Sequence, residues 1–444
     1  MSLTAKYVIF GLLFGTLIYV FSPGFSGLLS ADNIWKVKEE LLYLTGSIAL
    51  SYMVISMVTS LRIGYVNNKL GGLDKAYIVH KWVGIWALSL SIIHYLLENM
   101  PKWLVKLELI TRPARKKGAA SPYSDFAKEL YKFGNDIVEI AFYIIVVVLI
   151  IALLKRIPYH IFRMVHKIIP ILFLAIAYHS FTIQIKGLWF GSIGSFILSA
   201  VIFIGVIAAI LDLFQPVKIR RKYKADVKNA AYDEKTGILD ITLSVQGGGF
   251  NYKAGQYVFL TFPKCSSEPH PFSIASYNES GGDVRFYIKA LGDWTEKLCK
   301  TVQAGDFAIM EGPYGAFSFN DNAENQVWIA AGIGVTPFIS RLEELSSYGK
   351  NDKIIDFFYS FRGDCPLKDD IEKLCEKTGV RFHLRDTSKN GRLSFDDIKN
   401  SVTNIDGASF WFCGPESFGR NIVRFLKENN IKISRLHFDS FDMR

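Results

Sequence analysis

The chain has 444 residues, half of them hydrophobic, and a formal net charge of +10. This length allows about three domains, and the long charge-free runs of its first half exclude an ordinary soluble protein. Much of the basic excess flanks apolar runs, where Lys and Arg meet lipid headgroups, so the charge favours membrane contact over nucleic-acid binding. All five cysteines lie in the second half without metal-ligand spacing, which favours a reducing compartment over disulfides.

Six apolar stretches are long enough to cross a bilayer, which takes roughly 20 residues per helix. They cover approximately residues 7–29, 41–60, 77–97, 137–154, 164–185 and 188–211. The first lacks a clear small-residue cleavage site, so we interpret it as a retained span rather than a signal peptide. The sequence therefore predicts a transmembrane domain over residues 1–216, with both chain termini on one side of the membrane.

Four of the eight histidines fall in two of these stretches, His80 and His94 in the third and His166 and His179 in the fifth. At about 1.5 Å per residue, the two histidines of each stretch are separated by roughly 20 Å, which gives two levels within the membrane. His80 then faces His166, and His94 faces His179. This pattern predicts two haem irons, each held by two imidazoles. The alternative is that the histidines are isolated buried side chains with polar partners.

The spacing also predicts a distortion in the fifth span. An offset of 14 residues leaves two side chains about 40° apart around an ideal helix, but an offset of 13 leaves them about 140° apart. Pro170, four residues after His166, cannot donate to the His166 carbonyl and therefore predicts a kink. Because two axial histidines leave no iron site for oxygen, such haems would pass single electrons outward.

Alternating apolar and polar residues around 241–245 and 284–289, with glycines between them, predict a small antiparallel β-barrel over residues 217–320. A flavin site needs a ledge under the ring and cations or hydroxyls for the pyrophosphate. The candidates are His270, Pro271, Phe272, Ser273, Lys289, Asp293, Trp294 and Thr295. Taken singly, each of these motifs is as compatible with an ordinary turn.

Residues 321–444 alternate apolar runs with helix-like segments, which predicts an α/β domain with a parallel sheet. The runs are Val327–Ala330, Ile354–Tyr359, Val380–Leu384, Phe410–Cys413 and Ile431–Phe438. After the first run, Gly332, Gly334, Thr336 and Pro337 open a helix whose N-terminus suits a phosphate.

Further candidates follow the later runs of this domain. Ser360 and Arg362 follow the second run, where a cation favours a 2′-phosphate and hence NADPH; a solvated surface Arg is the alternative. Cys413, Gly414 and Pro415 follow the fourth run, at the edge of the sheet where ligands bind. Phe441 lies near the chain end as a candidate cover for the flavin, or else as a hydrophobic anchor of the tail.

Together these motifs resemble the ferric reductase and NADPH oxidase superfamily, most closely the bacterial NADPH oxidases of the streptococcal type. The resemblance covers nearly the whole chain. It implies a six-helix transmembrane di-haem bundle fused to a ferredoxin-reductase-like dehydrogenase, with FAD on His270–Ser273, Lys289 and Asp293–Thr295. It places the nicotinamide nucleotide over Gly332–Pro337, Arg362 and Cys413–Pro415. Phe441 and Cys413 are then the catalytic candidates, beside the flavin and the nicotinamide.

The resemblance implies electron transfer from cytosolic NAD(P)H through FAD and two haems b to extracellular oxygen, producing superoxide. No obligatory protein partner is expected for this activity. The dehydrogenase and both termini are expected in the cytoplasm, where nicotinamide and flavin are found. Two features leave the acceptor open: Glu98 stands where eukaryotic members have a second histidine, and the basic loop 99–136 is long. A ferric-chelate reductase and an electron donor to a partner protein are the alternatives.

Overall fold

The fold is taken from a computed structural model that describes residues 3–111, 124–154, 156–186, 189–214, 221–278, 282–349 and 352–438. The chain divides into two compact units, a helical unit within residues 1–219 and a second unit within residues 220–443.

Among its described residues, the helical unit contains six segments that are long and apolar enough to cross a membrane, which confirms the number and order of the predicted spans. The chain is therefore a multi-pass membrane protein. The fifth segment combines two helices, α7 and α8. The helices are α1 (Leu3–Val20), α2 (Pro23–Leu29), α3 (Ile34–Ser60), α4 (Gly64–Leu70), α5 (Leu73–Lys106), α6 (Asp125–Leu153), α7 (Tyr159–His166), α8 (Ile169–Lys186) and α9 (Ile193–Phe214).

Several span boundaries differ from the sequence prediction. The first span ends at Val20 rather than near residue 29, because Pro23 starts a new helix and the Ser22 hydroxyl caps it by accepting from the Gly24 amide. The predicted outer loop 99–136 was too long, because α5 continues to Lys106 and α6 already begins at Asp125. An ion pair of 2.8 Å between Glu98 and Lys102, one turn apart, supports α5 beyond its apolar run.

Glycines allow the transmembrane helices to pack closely, as is usual in membranes, where small residues let backbones approach. A Cβ added at Gly15 would lie 2.4 Å from the Ile48 Cα, so α1 and α3 cross at this point. A Cβ added at Gly205 would lie 2.5 Å from the Phe173 ring, which brings α9 against α8. The second contact packs α8, the helix that carries His179, against α9.

The second unit begins with a six-stranded antiparallel sheet in the order β4-β3-β6-β1-β2-β5. Its elements are β1 (Lys222–Asp233), β2 (Ile238–Val245), β3 (Tyr257–Thr261), β4 (His270–Ser273), β5 (Asp283–Lys289), α10 (Asp293–Thr301) and β6 (Phe307–Tyr314). Just after β4, the Ala275 amide donates to the Arg285 carbonyl on β5 at 2.9 Å, so the sheet nearly closes into a barrel. The predicted alternation is confirmed, since Ile241, Leu243 and Phe286 point into the barrel core.

The unit continues with a parallel five-stranded sheet in the order β11-β10-β7-β8-β9, which confirms the predicted α/β domain. Its strands are β7 (Asn325–Ala331), β8 (Ile354–Phe361), β9 (Arg381–Asp386), β10 (Ser409–Cys413) and β11 (Leu436–Phe438). The helices between them are α11 (Thr336–Tyr348), α12 (Lys368–Thr378), α13 (Thr387–Asn390), α14 (Phe395–Ser401) and α15 (Glu416–Glu428). The last predicted run is strand only over Leu436–Phe438, because a 3-10 turn occupies Ile433–Arg435.

Candidate functional site

The first predicted pair of histidines, His80 and His166, which we call the inner pair, meets across the helical unit. The ring centroids of His80 on α5 and His166 on α7 are 6.1 Å apart, with the ring planes at 69°. A metal–imidazole bond is about 2 Å long, so two imidazoles ligating one metal from opposite sides have centroids about 6 Å apart. The separation of His80 and His166 thus fits a metal held between them, as in a haem with two axial histidines.

The fifth span is interrupted directly after the inner histidine. Helix α7 ends at His166 and α8 starts at Ile169, with a turn at residues 167–168. Pro170 lies in the first turn of α8, where its missing N–H is tolerated. The predicted distortion is therefore present, and because of this break His166 and His179 need not point in the directions that one ideal helix would impose.

The second predicted pair of histidines, His94 and His179, which we call the outer pair, lines one cavity. His94 on α5 and His179 on α8 both face a cavity of about 300 Å³ that α3 and α6 also line. Its lining is largely apolar but includes Glu98, whose carboxylate is paired with Lys38 at 2.6 Å and Lys102 at 2.8 Å. A planar, largely apolar group with charged edges suits such a lining.

The polar partners of His80 and His94 come from the second span. The sequence analysis did not predict these partners. Oxygen atoms of Ser56 and Thr59 surround the Nδ1 of His80, and Thr45 contacts the Nδ1 of His94. The sequence does hold a signal for them. The hydroxyl residues at positions 45 and 59 of an apolar helix have the same spacing as His80 and His94.

The two predicted flavin motifs come together in the barrel. The His270 ring on β4 stacks on the Trp294 ring of α10, with centroids 3.8 Å apart. Within the described residues, the buried Nε1 of Trp294 has no hydrogen-bond partner. A buried donor without a partner is costly, so this atom suits an acceptor on a bound ligand. The Thr295 hydroxyl donates to the Gly292 carbonyl and accepts from the Gly292 amide, so it shapes the start of α10.

The predicted nucleotide motifs lie at the carboxyl edge of three adjacent parallel strands. Cys413 pairs with Ala330, and Ala331 with Ser360, so β10, β7 and β8 end together. A Cβ added at Gly334 would lie 2.4 Å from the Cys413 carbonyl oxygen. Glycine is thus required where the Gly-x-Gly turn passes the Cys-Gly-Pro segment.

Other predicted nucleotide residues occupy distinct positions at this edge. Gly332 has φ 57° and open space beside it, and Thr336 and Pro337 open α11, which has no side-chain cap. These features suit a phosphate at the helix N-terminus. Ser360 belongs to β8 instead of following it, whereas the exposed Arg362 lies just beyond the strand.

The barrel and the nucleotide sheet are joined inside the second unit by α11. Ser340 donates from its hydroxyl to the Ser276 carbonyl at 2.7 Å, and the Glu343 carboxylate accepts from the Tyr277 amide at 2.7 Å. Burial raises the pKa of Glu343, against the opposing effect of this hydrogen bond and of Arg285. The segment after the His-Pro-Phe-Ser motif is thereby tied to the helix that follows the Gly-x-Gly turn.

Two predicted features lie outside the described residues. They are Phe441 and the basic part of the outer loop with Arg112, Arg115, Lys116 and Lys117.

Comparison with known proteins agrees with this architecture. Residues 45–177 match the family described as "Ferric reductase like transmembrane component", and residues 221–318 match the family described as "FAD-binding domain". The chain is 23% identical to a superoxide-generating NADPH oxidase heavy chain of Dictyostelium discoideum, over 89% of this chain and 66% of that protein. It is 24% identical to the "Probable cell surface ferric reductase kap2" of Aspergillus oryzae, over 80% of this chain and 47% of that protein.

The chain belongs to the ferric reductase and NADPH oxidase superfamily. The "Propane 2-monooxygenase, reductase component" of Mycolicibacterium smegmatis is 27% identical over 44% of this chain and 61% of that protein. The chain thus spans 66%, 61% and 47% of the lengths of these three relatives.

Proposed function

We propose that the chain takes electrons from cytosolic NAD(P)H and delivers them across the membrane to oxygen, producing superoxide on the outer side. This proposal rests on the position of His80 opposite His166, with their ring centroids 6.1 Å apart. The same chain also has an FAD-binding domain. When bound, FAD converts a hydride into single electrons and haem carries them one at a time. Each NAD(P)H supplies two electrons, so two oxygen molecules are each reduced by one electron and one proton is released.

The residues of the chain divide this work. His80 with His166, and His94 with His179, would hold the two haems at two membrane levels. His270–Ser273, Lys289 and Asp293–Thr295 would hold FAD, with Trp294 offering its indole N–H and a flat ring. Gly332, Gly334, Thr336, Pro337 and the segment Gly414–Pro415 would hold the nucleotide. Arg362 would bind a 2′-phosphate and Ser360 would support it.

Two further roles belong to the hydride step. Cys413, at the end of β10, would border the nicotinamide, and Phe441 would cover the flavin face and exclude water. The bound nucleotide must be cytosolic, so we place the second unit and both termini in the cytoplasm. The cavity beside His94 and His179, which Glu98 and Lys102 also line, then lies at the extracellular level of the membrane.

A ferric-chelate reductase is the second candidate. It is supported by the Aspergillus oryzae relative named as a probable cell surface ferric reductase. The inner steps would be the same and only the acceptor would differ. An anionic ferric chelate would be drawn by cations of the outer loop, whereas oxygen needs no charge.

The test is NAD(P)H oxidation by the purified, haem-loaded protein in oxygen alone and with ferric citrate added under argon. Dismutase-sensitive dye reduction reports superoxide. We expect fast, dismutase-sensitive turnover in oxygen. Negligible turnover in oxygen with fast turnover on ferric citrate would overturn the oxidase proposal and support the reductase. Slow turnover with both acceptors would overturn both and point to a partner protein as acceptor.

A further inference from the structure

The orientation of the His80 ring is fixed by helix α3. Its Nδ1 lies 3.0 Å from the Ser56 carbonyl oxygen, 3.1 Å from the Ser56 hydroxyl and 3.3 Å from the Thr59 hydroxyl. A carbonyl oxygen can only accept a hydrogen bond. The Nδ1 of His80 therefore carries the proton, and the lone pair of the neutral ring is on Nε2.

Thr59 adds to this arrangement because its own proton is already used. The Thr59 hydroxyl donates to the Ile55 carbonyl at 2.9 Å, one turn back in α3. Its lone pairs are then available to the Nδ1–H of His80. The hydroxyl thus accepts a hydrogen bond from the imidazole. It disfavours the other tautomer, in which Nδ1 would carry the lone pair instead of the proton.

His94 has the same environment at the outer level. The Thr45 hydroxyl lies 3.1 Å from the Nδ1 of His94 and donates to the Leu41 carbonyl at 2.8 Å. The Leu42 backbone also hydrogen-bonds the His94 ring. Gly46 lets the ring come this close, since a Cβ there would be 3.3 Å from the His94 Cε1.

The repetition follows from matched spacings on two antiparallel helices. The spacing from Thr45 to Thr59 on α3 equals the spacing from His80 to His94 on α5. Because the earlier residue of one helix meets the later residue of the other, one helix pair presents the same contact twice, roughly 20 Å apart. Two independent occurrences of one geometry argue against chance packing.

The facing histidine of the inner pair is held differently. Within the described residues, the Nδ1 of His166 is buried without a hydrogen-bond partner, and the Phe162 ring packs 5.0 Å from the His166 ring. Helix α3 therefore directs one histidine of the inner pair while the other is positioned by packing.

We propose that Thr59 and Thr45 are positioning residues that fix the tautomer of His80 and His94 and so present each Nε2 to a haem iron. This inference rests on the proposed function. An acceptor on the distal nitrogen of a metal-bound imidazole strengthens its bond to the metal, and it does so more for the ferric than for the ferrous ion. Removing the acceptor should raise the reduction potential of the haem at that level and leave the other haem unchanged.

The test uses the full chain in detergent, loaded with haem, with Thr45→Val for the outer level and the double substitution Ser56→Ala with Thr59→Val for the inner level. The backbone carbonyls of Ser56 and Leu42 remain as acceptors, so these variants keep the tautomer and remove only the contribution of the hydroxyl acceptors to the imidazole. We expect about a tenfold change in the ferric-to-ferrous affinity ratio of one haem, which corresponds to about 59 mV for one electron. Potentiometric titration and the low-spin electron paramagnetic resonance spectrum give the two readouts.

Thr16→Val is the matched control, because the Thr16 hydroxyl also donates one turn back, to the Leu12 carbonyl, but on an exposed face of α1. It should shift neither potential. The proposal is overturned if both haems shift together in each variant, or if potentials and spectra match those of Thr16→Val. Failure of the proposed haem ligation is distinguishable, since the unsubstituted protein would then lack a low-spin spectrum altogether.

Discussion

The helical unit and the second unit place their candidate sites by different physical means. In the helical unit, each candidate site has two histidines from two membrane spans, one on α5 and one on α7 or α8. In the second unit, the candidate residues stand on short segments where strands end, such as His270 on β4 and Gly334 after β7. A site held by two ligands should fail when one is removed, whereas a site spread over several turns should weaken gradually.

The largest effect is expected when one histidine of a pair is removed from the helical unit. His80→Ala or His166→Ala should each remove about half of the low-spin haem spectrum, because one haem loses an axial ligand and the other keeps both. The measurement is the reduced-minus-oxidised optical spectrum per mole of purified protein.

Ser89→Ala serves as the control for that prediction. Ser89 lies on α5 between the two histidines, and its hydroxyl donates to the Ile85 carbonyl of its own helix. This variant should keep the full spectrum. If either histidine variant also kept it, the pairing of His80 with His166 would be wrong.

A smaller, graded effect is expected at the flavin motifs. Trp294→Ala removes the ring stacked on His270 and the buried indole donor. A hydrogen bond to the indole N–H contributes about 0.5–1.5 kcal/mol, so the dissociation constant for FAD should rise about tenfold. Flavin fluorescence on titration of the apoprotein measures it.

Phe307→Ala, an exposed aromatic of the same barrel, is the control and should leave FAD affinity unchanged. A complete loss of FAD binding by folded Trp294→Ala protein would show that one side chain dominates the site. That outcome would break the contrast between the two units.

A still smaller effect is expected for nucleotide binding at the carboxyl edge of the parallel sheet. Arg362 is exposed just after β8, so its ion pair with a 2′-phosphate would be partly screened. Arg362→Ala should raise the KM for NADPH about fivefold and leave the KM for NADH unchanged. Arg392→Ala, another exposed arginine of this domain, should change neither. Equal changes for both nucleotides would rule out recognition of the 2′-phosphate by Arg362.

Part of the fold and of the candidate sites in both units could be predicted from the sequence. The six spans and the two levels of histidines follow from apolar run length and a fixed rise per residue, and Pro170 correctly indicated the break after His166. The alternation around Ile241 and Phe286 likewise predicted the barrel. Apolar run length, residue spacing, a single proline and strand alternation can all be seen in a single sequence.

The missed features depend on tertiary contacts or on local capping. Thr45 and Thr59 resemble ordinary back-bonded hydroxyls until α3 is placed against α5. The end of α1 at Val20 depends on Ser22 and Pro23 forming a cap, and the extension of α5 depends on the ion pair between Glu98 and Lys102. Periodicity carries no information about these contacts.

The smallest expected effect lies where α11 joins the barrel to the nucleotide sheet. Burial raises the pKa of Glu343, so the folded protein holds that proton more tightly than the unfolded chain does. The stability from this protonation is fully present below the ordinary carboxyl pKa and is lost as the pH rises through the raised value. Glu343→Gln should therefore gain stability relative to the parent as the pH rises towards neutrality, by less than about 1 kcal/mol since the side chain is only partly buried.

Chemical unfolding of the full chain, followed by tryptophan fluorescence between mildly acidic and neutral pH, measures this difference. Glu376→Gln, at an exposed position of α12, is the matched control. In Glu343→Gln the new side-chain carbonyl can still accept from the Tyr277 amide, so the hydrogen bond of 2.7 Å that ties α11 to the barrel survives and only the charge is removed. A variant that loses stability at neutral pH would show that the carboxylate charge itself, through Arg285, holds the junction. The second unit would then depend at this junction on a single charged pair, much as the helical unit depends on single histidines.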